Sequence, residues 1–594
     1  MERRRRLAAL LLALLFVAAP RIALASPFSW LTGEREAAPI ESGALRVYLK
    51  SLGDIRALGI TVDGSYTVDG DAGFRFARGT ALTVAADGDG LVLSSGGLTI
   101  WMGASFTLTR HATPGANGLY LHGSERDNLF EGDLMLTNEA GAIRAVLTID
   151  IERYLYGVVP YEMSDSFPIE ALKAQAVAAR TYALKRREAN QARAYDLVDT
   201  TQDQVYKGLD RRNENAIAAV DATRGVAGEY GGSYANCYYT ASNGGQTALP
   251  QDIWGGGQDM HYLTMRDDPY DLANPASVVR TLDVPAGGGD LPQALADMLR
   301  RQLPEAMASL GYSDDLADIA IERVAAIEPT QPMGAEGSRR YSKLRFSLIV
   351  SGRALPYPTG QPTPAAQTAV PAAPAPPAAQ TATPTPQTPA PSGMHRLDQP
   401  VVVTLDVFSQ IKRELGLDIQ KNDYELASVA VHYEGDGVTP SAFQIQLRRF
   451  GHGVGMSQRG AQWMAGQYGK PYVDILNFYY PGMALVTRTF ETPARQAVDS
   501  LPASLGAARA RPTPRPTQAP LPALAAGEYY AVVALGSKAS SLNVRSQPST
   551  SSAILGALSS GDRVIVVREV EEGWVEIRTA EVDGYVALDY LTKE

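Results

Sequence analysis

The sequence predicts an α+β protein in which a β-rich region, one strong helix and a small all-β module follow one another. Three observations lead to this prediction. Short alternating segments broken by Gly and Asp run from Leu45 to about Ile151, an alanine-rich helical segment follows near residues 168–187, and short strand patterns return after residue 528. The chain has 594 residues, which indicates roughly two to four domains.

The amino-terminal segment has the layout of a signal peptide. A basic run at Arg3–Arg6 precedes an apolar stretch over 7–19 and a small-residue site at Ala23–Ala25. The apolar stretch is too short to cross a bilayer comfortably, so we expect residues 1–25 to be a signal peptide that is removed on export. An uncleaved anchor is the alternative. No later segment is apolar enough to span a membrane.

Charge and cysteine content argue against nucleic-acid binding and exclude disulfide and thiolate-rich metal sites. The formal net charge is −10 and the sequence pI is about 5.3, so the chain has no electrostatic basis for binding nucleic acid. The single cysteine, Cys237, excludes an intramolecular disulfide and a thiolate-rich zinc site. Cys237 follows a strand pattern, which predicts a small buried apolar residue rather than a nucleophile.

Two stretches rich in Pro and Ala divide the remaining chain. Residues 356–393 and 492–526 cannot bury enough apolar surface to fold, so we expect a disordered insert and a linker. The predicted domains are therefore 45–490, which contains the insert, and 528–594, whose repeated short strands indicate a small β-barrel.

The helical segment near residues 168–187 carries a possible cationic ridge. Pro168 and Glu170 fit the first turn of a helix, and Leu172 begins an apolar packing face. Lys173 and Arg180 are seven residues apart and project from the same side. From composition alone a solvated face is the simpler interpretation, and Glu162, just ahead of the helix, could be a surface carboxylate or a salt-bridge partner of Arg180.

Several motifs follow one another in a characteristic order. They are "YLYGVVPYEM", "FPIEALKAQAVAARTYAL", "DTTQDQVYKG", "YTASNGGQT", "WGGG" followed by "YLTMRDDPYD", and "GHGVGMSQRGAQWMA" followed by "ILNFYYPG". In this order they resemble the SpoIID/LytB family, which comprises stage II sporulation protein D-like and amidase enhancer proteins. The resemblance extends over roughly Leu45 to Thr489. Because motifs lie on both sides of residues 356–393, we interpret that stretch as a loop inside the domain.

The resemblance implies chemistry on the glycan strands of peptidoglycan. SpoIID-type members are lytic transglycosylases that prefer strands without stem peptides, and the glutamate of their P-x-E-M element, matched by Glu162, is the catalytic acid. The helix residues matched by Lys173 and Arg180 are implicated in activity and are expected to bind the saccharide. LytB-type members are described as enhancers of a cell-wall amidase, so a non-catalytic, wall-binding role with an amidase partner is the alternative function.

Two further motifs are expected to line the same groove. Ser242, Asn243 and Thr247 lie in a glycine-rich segment with hydroxyl and amide groups that suit sugar hydroxyls, although a simple β-turn explains them equally well. His452 stands between two glycines, ahead of Ser457, a plausible helix N-cap, and Gln458. For His452, a structural hydrogen-bonded histidine is the alternative to a titrating group.

The sequence departs from the family pattern at a metal site. SpoIID proteins carry two cysteines and a histidine that bind zinc where this chain has Val198, Gln202 and Asp203. Valine and glutamine are not competent zinc ligands, and one carboxylate cannot hold the ion alone. We therefore expect no metal and no other cofactor, and we expect hydrogen bonds to keep the backbone turn.

The carboxyl-terminal module resembles bacterial SH3-like domains through "LNVRSQPS", "GWVEIR" and "GYVALDYL". Members of that family often attach wall-active enzymes to peptidoglycan, and a plain spacer is the alternative. The combined prediction is a secreted, cell-wall-associated lytic transglycosylase whose partners are glycan strands. A single carboxylate suffices in this reaction because the sugar's own C6 hydroxyl replaces water as nucleophile.

Overall fold

The computed structural model describes residues 40–255, 260–355, 393–492, 496–497, 523–534, 541–549, 552–559, 561–570, 573–579 and 582–594. The predicted signal peptide, almost all of the Pro-rich insert and most of the linker lie outside these ranges, so their assignments stay predictions. The described residues contain both helices and many strands, which confirms an α+β composition. Among them, no helix is both long enough and apolar enough to cross a membrane.

Two sheets form the amino-terminal part, as the alternating segments predict, and their strands pair antiparallel except that Leu197–Val198 pairs in parallel with Ala44–Tyr48. In strand Ala57–Asp63, for example, every second side chain is buried, which is the alternation that the sequence shows. The larger sheet has seven strands in the spatial order Leu197–Val198, Ala44–Tyr48, Ala142–Asp150, Asp133–Glu139, Ser105–Arg110, Tyr66–Val68 and Asp71–Phe76. The smaller sheet has five strands in the order Gly118–His122, Ala57–Asp63, Ala81–Asp87, Gly90–Ser95 and Leu98–Gly103.

A helical layer follows the last strand of the larger sheet. Asp150 caps helix Ile151–Tyr156 by accepting the N–H groups of Glu152 and Arg153. The short helix Val159–Glu162 leads to the long helix Ile169–Ala189, which begins directly after Pro168. Every residue of the long helix from Ala174 to Leu184 is buried, because its many alanines let neighbouring elements approach on all sides.

The two sheets and the helical layer share one hydrophobic core, which we call the first core, and segments from distant parts of the chain complete it. Strand Tyr239–Thr240 pairs in parallel with Met456–Ser457, and Ile40–Ser42 pairs in parallel with Thr489–Glu491. The remaining elements are Glu214–Ala222, Val226–Tyr230, Ser233–Tyr234, Pro250–Trp254, Pro269–Ala273, Gln458–Tyr468, Tyr472–Tyr479 and Ala484–Thr487. The motifs that lie on the two sides of residues 279–448 therefore share one hydrophobic core.

Residues 279–448 form a second hydrophobic core inside the predicted 45–490 region. Its strands are Val279–Pro285, Ile319–Pro332, Tyr341–Arg353, Met394–Arg396, Val401–Asp406, Leu426–Tyr433 and Pro440–Arg448, and its helices are Gln293–Arg301, Leu303–Ser309 and the π-type Val407–Glu414. Arg353 pairs with Met394 in antiparallel register. The described strands on the two sides of the Pro-rich stretch are therefore neighbours in one sheet.

The carboxyl-terminal residues form a third core of their own. Seven strands pair antiparallel in the spatial order Ile554–Ser559, Ser541–Arg545, Gly584–Ala587, Trp574–Arg578, Arg563–Val570, Tyr529–Val533 and Leu591–Lys593.

Short 3₁₀ turns occur in all three parts of the described chain, at Lys50–Leu52, Gly288–Asp290, Leu316–Asp318 and Leu588–Tyr590.

Candidate active site

Glu162 ends the short helix Val159–Glu162 and is only partly exposed. Its Oε1 accepts the backbone N–H of Val205 at 2.8 Å, and the side chains of Gln458 and Tyr239 also hydrogen-bond to the carboxyl group. Burial raises the pKa of Glu162 above its ordinary value, and these three hydrogen bonds oppose that rise. The site therefore holds a carboxyl group that protonates more readily than a solvated glutamate.

The segment 198–206, which we name the 198–206 loop, holds Glu162 and its neighbours in place. Gln204 donates to the Ala179 carbonyl at 3.2 Å and to the Tyr239 hydroxyl at 3.0 Å. Tyr206 stacks on Tyr154 with ring centroids 5.1 Å apart. The loop is thus anchored to the long helix on one side, and it orients the Tyr239 hydroxyl beside the Glu162 carboxyl group.

The two cations expected in the groove have protein partners instead. Arg180 is fully buried, and its Nε and Nη2 lie 2.9 and 2.5 Å from the carboxylate oxygens of Glu152. Lys173 Nζ lies 2.7 Å from Glu170 Oε1, near the start of the long helix. The expectation that Arg180 contacts a saccharide is therefore corrected, because no part of its side chain reaches solvent. Helical spacing placed both cations on one side but could not show which neighbours cover them.

Asp203, at one of the former zinc-ligand positions, joins two elements through three residues. Its Oδ1 accepts the Tyr182 hydroxyl at 2.9 Å and lies 2.9 Å from Arg186 Nε, an ion-pair contact without good hydrogen-bond alignment. Its Oδ2 accepts the Val198 N–H at 2.9 Å. A carboxylate with these bonds links the long helix to strand Leu197–Val198 where the family uses a metal.

The other two former ligand positions have separate roles. Val198 is buried, and the Gln202 side chain is exposed and accepts a hydrogen bond from Lys50 Nζ at 2.7 Å. The turn itself persists, because the Asp203 N–H donates to the Thr200 carbonyl at 3.0 Å. Within the described ranges, no group of three or more His, Cys, Asp or Glu side chains is arranged to hold a metal ion.

The glycine-rich segment forms a buried polar network around two aspartates. Ser242 Oγ donates to Asp271 Oδ1 at 2.9 Å, and Ser457 Oγ donates to the other oxygen of Asp271. Asn243 Nδ2 donates to Asp268 Oδ2 at 2.8 Å. Burial is the main cause that raises the pKa of Asp268. This network fastens segment 240–247 to the helix that begins after Ser457.

Ser242, Asn243, Ser457 and Thr247 were expected to bind saccharide, and their placement corrects that expectation. All four are buried, and Thr247 Oγ1 donates to the Thr264 carbonyl at 2.7 Å. Their polar groups are therefore already used within the protein. Ser457 does cap helix Gln458–Tyr468 as predicted, because its Oγ accepts the Gly460 N–H at 3.0 Å.

Gln458 contacts Glu162, and His452 contacts the backbone of Tyr239, which is itself a partner of Glu162. His452 Nδ1 accepts the Val454 N–H at 3.0 Å, and burial lowers the pKa of His452 to about 4, so the ring is neutral at pH 7. Gln458 is largely buried and hydrogen-bonds to the Glu162 carboxyl group. Of the residues predicted from the "GHGVGMSQ" motif, Gln458 is the one in direct contact with the candidate acid.

A run of contacting rings that includes Trp254 was not predicted from the sequence. Tyr182, Tyr238, Trp254 and His452, which we name the aromatic cluster, contact in that order with centroid separations of 6.0, 4.8 and 5.0 Å. Trp254 is 48% exposed. Tyr239, the hydrogen-bond partner of Glu162, directly follows Tyr238 in the chain. Aromatic residues inside three of the quoted motifs were the available signal, but they are far apart in sequence.

Cys237 has the predicted character. It is fully buried, its Sγ lies 3.4 Å from Met483 Sδ, and burial raises the pKa of the thiol far above its ordinary value. Such a thiol does not supply a thiolate nucleophile.

Comparison with known proteins defines the class. Residues 139–230 match the family described as SpoIID, Stage II sporulation protein, and residues 540–592 match the bacterial SH3 domain. The resemblances predicted from the sequence are confirmed, and the chain carries a SpoIID-type domain and a bacterial SH3 domain. The first match includes Glu162 and the 198–206 loop.

Individual relatives agree with this class. The chain is 28% identical over 335 residues to the amidase enhancer of Bacillus subtilis, covering 56% of this chain and 40% of that protein. It is 27% identical over 356 residues to stage II sporulation protein D of Bacillus amyloliquefaciens, covering 57% of this chain and 75% of that protein. An uncharacterized protein of Brachyspira hyodysenteriae is 39% identical over 141 residues, which is 37% of its length.

Proposed function

We propose that this protein acts on the bacterial cell wall as a peptidoglycan lytic transglycosylase with Glu162 as its single acid and base. The observation that carries the proposal is the environment of Glu162. Its carboxyl group is partly buried, its pKa is raised by that burial, and the groups that touch it are uncharged. The similarity to stage II sporulation protein D and to the amidase enhancer supports a role at the wall.

The proposed reaction uses the two forms of one carboxyl group in turn. Protonated Glu162 donates its proton to the glycosidic oxygen as the bond to the anomeric carbon breaks. The anomeric carbon belongs to a muramic residue, and the resulting carboxylate takes the proton from the C6 hydroxyl of that residue. The C6 oxygen then bonds to the anomeric carbon and closes a 1,6-anhydro ring. The products are an anhydro end and a free hydroxyl, and no water is consumed.

The surroundings of Glu162 suit this single-carboxylate scheme. Arg180 and Lys173 pair with other carboxylates, so neither is among the groups that set the pKa of Glu162. The nearby Asp203 has both carboxylate oxygens engaged by Tyr182, Arg186 and the Val198 N–H. A second carboxylate in that state is a poor nucleophile or base, which disfavours a hydrolytic mechanism with two free acids.

The aromatic cluster supplies a surface for sugar rings beside the acid. Trp254 presents about half of its surface to solvent, and Tyr238 of the cluster directly precedes Tyr239, the hydrogen-bond partner of Glu162, in the chain. The apolar face of a pyranose ring packs on such a side chain, because this contact removes apolar area from water. We assign Trp254 the role of holding the glycan strand.

The decisive experiment measures the ends that the protein makes. The chain without residues 1–25 is incubated with glycan strands free of stem peptides, and products are analysed by mass spectrometry. We expect 1,6-anhydromuramyl ends, and we expect Glu162→Gln to abolish them while the chain still binds glycan. Glu188→Gln, at an exposed carboxylate on the end of the long helix, is the matched control. Reducing ends, or activity retained in Glu162→Gln, would contradict the proposal.

A second candidate function is a non-catalytic amidase enhancer. Two observations favour it, namely the replacement of the family's metal ligands at Val198, Gln202 and Asp203, and the similarity to the Bacillus subtilis amidase enhancer. This function predicts that the protein binds glycan without cleaving it and accelerates an added cell-wall amidase. In that case Glu162→Gln leaves the acceleration unchanged, which separates the two functions.

We further propose a secreted, wall-associated location in which the SH3 domain contributes wall affinity. The bacterial SH3 match over residues 540–592 and the SpoIID match support this assignment. Sedimentation with purified cell walls tests it, because a chain that ends at residue 492 should sediment less than the full chain.

A further inference from the structure

A polar cavity of about 590 Å³ lies where the seven-stranded sheet meets helix Ile151–Tyr156. It is lined by Arg110 at the end of its strand, by Asp150 and Arg153 at the start of the helix, and by Arg211. We name it the arginine cavity. Neither Glu162 nor any member of the aromatic cluster lines it.

The acidic side chains of the arginine cavity already have partners. Glu131 is buried, and its Oε2 accepts Arg153 Nη1 at 2.7 Å. Asp150 Oδ1 accepts the N–H groups that begin helix Ile151–Tyr156, and its Oδ2 accepts the Thr492 hydroxyl at 2.7 Å. These carboxylates are therefore committed to an ion pair and a helix cap, and they neutralise no further cation.

Two arginines of the cavity keep most of their donors unused. The Arg110 guanidinium reaches one acceptor, the Asn117 carbonyl, through Nη1 at a long 3.5 Å. Arg211 is exposed. Across the described part of the chain, the Arg211 side chain forms no hydrogen bond and no ion pair, and Arg110 likewise forms no ion pair. A guanidinium carries five N–H donors in a fork that matches a carboxylate. The lining carries three arginines against two carboxylates, an excess of one positive charge in a chain whose net charge is −10.

The cavity lies within reach of the candidate acid. Leu209 lines it, and Val205, four residues earlier, donates its N–H to Glu162. Four residues span at most about 14 Å, so the backbone at Leu209 lies within about 14 Å of the backbone N–H that contacts Glu162.

We propose that the arginine cavity binds a carboxylate carried by the glycan strand a few sugars from the bond that Glu162 cleaves. This inference rests on the proposed function. The carboxylate can come from the lactyl group of a muramic residue without a stem peptide, or from the stem peptide itself. Arg110 and Arg211 would hold it through N–H···O bonds, and strands with free carboxylates would bind in preference to neutral ones.

Binding measurements on a chain that carries Glu162→Gln test the proposal without cleavage. Isothermal titration calorimetry compares peptide-free glycan fragments, the same fragments after amidation of their carboxylates, and fragments with stem peptides. We expect Arg110→Gln and Arg211→Gln each to weaken binding of the carboxylate fragment about tenfold, as loss of a charge-assisted hydrogen bond does. Amidated fragments should bind all chains equally weakly. Tighter binding of the peptide-bearing fragment identifies the stem peptide as the source, and tighter binding of the peptide-free fragment identifies the lactyl group.

Arg212→Gln is the matched control. Arg212 is the next residue, is 89% exposed and pairs with Asp210 at 2.8 Å, but it does not line the cavity. Its substitution should leave affinity unchanged. Because Arg211 is exposed, its variant also separates binding from folding.

The outcomes separate this inference from the proposed function. Unchanged affinity in Arg211→Gln and Arg110→Gln, or equal affinity for amidated and carboxylate fragments, would overturn the carboxylate site while Glu162-dependent cleavage remains. Carboxylate-dependent binding without cleavage by the parent chain would retain the site and remove the catalytic proposal.

Discussion

The buried pair Arg180–Glu152 provides the sharpest test of the structure against the expectation from sequence. Glu152 accepts two bonds from Arg180 and one from the Gly225 N–H at 3.0 Å. Arg180 also donates to the Val226 carbonyl at 3.0 Å. Replacing Arg180 with Met removes the charge partner and leaves Glu152 buried with a single donor.

We expect Arg180→Met to lower the free energy of unfolding of the first core by about 3–5 kcal/mol, the usual cost of leaving one buried charge unpaired. The double variant Arg180→Met with Glu152→Met should recover most of this loss, because no buried charge remains. Lys185→Met, at a partly exposed position on the same helix, should change the free energy by less than about 0.5 kcal/mol.

The assay is urea unfolding followed by hydrogen exchange of peptides from the long helix, so that the first core is observed separately from the other two. A binding titration with glycan fragments accompanies each variant. If Arg180→Met proved as stable as the parent chain and instead lost glycan affinity, Arg180 would be a substrate contact and the reasoning from burial would be refuted.

Three further predictions follow from the site. The raised pKa of Glu162 means that the group's stabilising contribution is complete below the ordinary glutamate pKa and is lost as pH rises through the raised value. Glu162→Gln should therefore gain stability relative to the parent as pH rises above the ordinary glutamate pKa, measured in urea titrations. The alkaline limb of activity should follow the same raised pKa. Asp203→Ala should cost about 2 kcal/mol of unfolding free energy, measured in the same way, and added zinc should not restore it. Trp254→Ala should weaken glycan binding about tenfold in calorimetry without changing the melting temperature, whereas Leu98→Ala, at an exposed residue of the five-stranded sheet, should leave binding unchanged.

Much of the fold was predictable because its signals are local. Alternating burial in strands such as Ala57–Asp63, the Pro168 start of the long helix and the Ser457 cap all depend on neighbours within a few residues. The second core over 279–448 was not predicted. Its strands carry ordinary alternating patterns, and the pattern alone does not state which sheet a strand joins.

The site divides in the same way. The sequence by itself determined the class of protein, the candidate acid Glu162 and the loss of the metal ligands, because these depend on which residue types occur in which order. Only the tertiary structure decided the surroundings of each group. It turned Arg180, Ser242, Asn243, Thr247 and Ser457 inward, and it brought Tyr238, Trp254 and His452 into contact with one another. Burial, hydrogen-bond partners and pKa shifts arise from contacts between segments that lie tens to hundreds of residues apart, and no local pattern records those contacts.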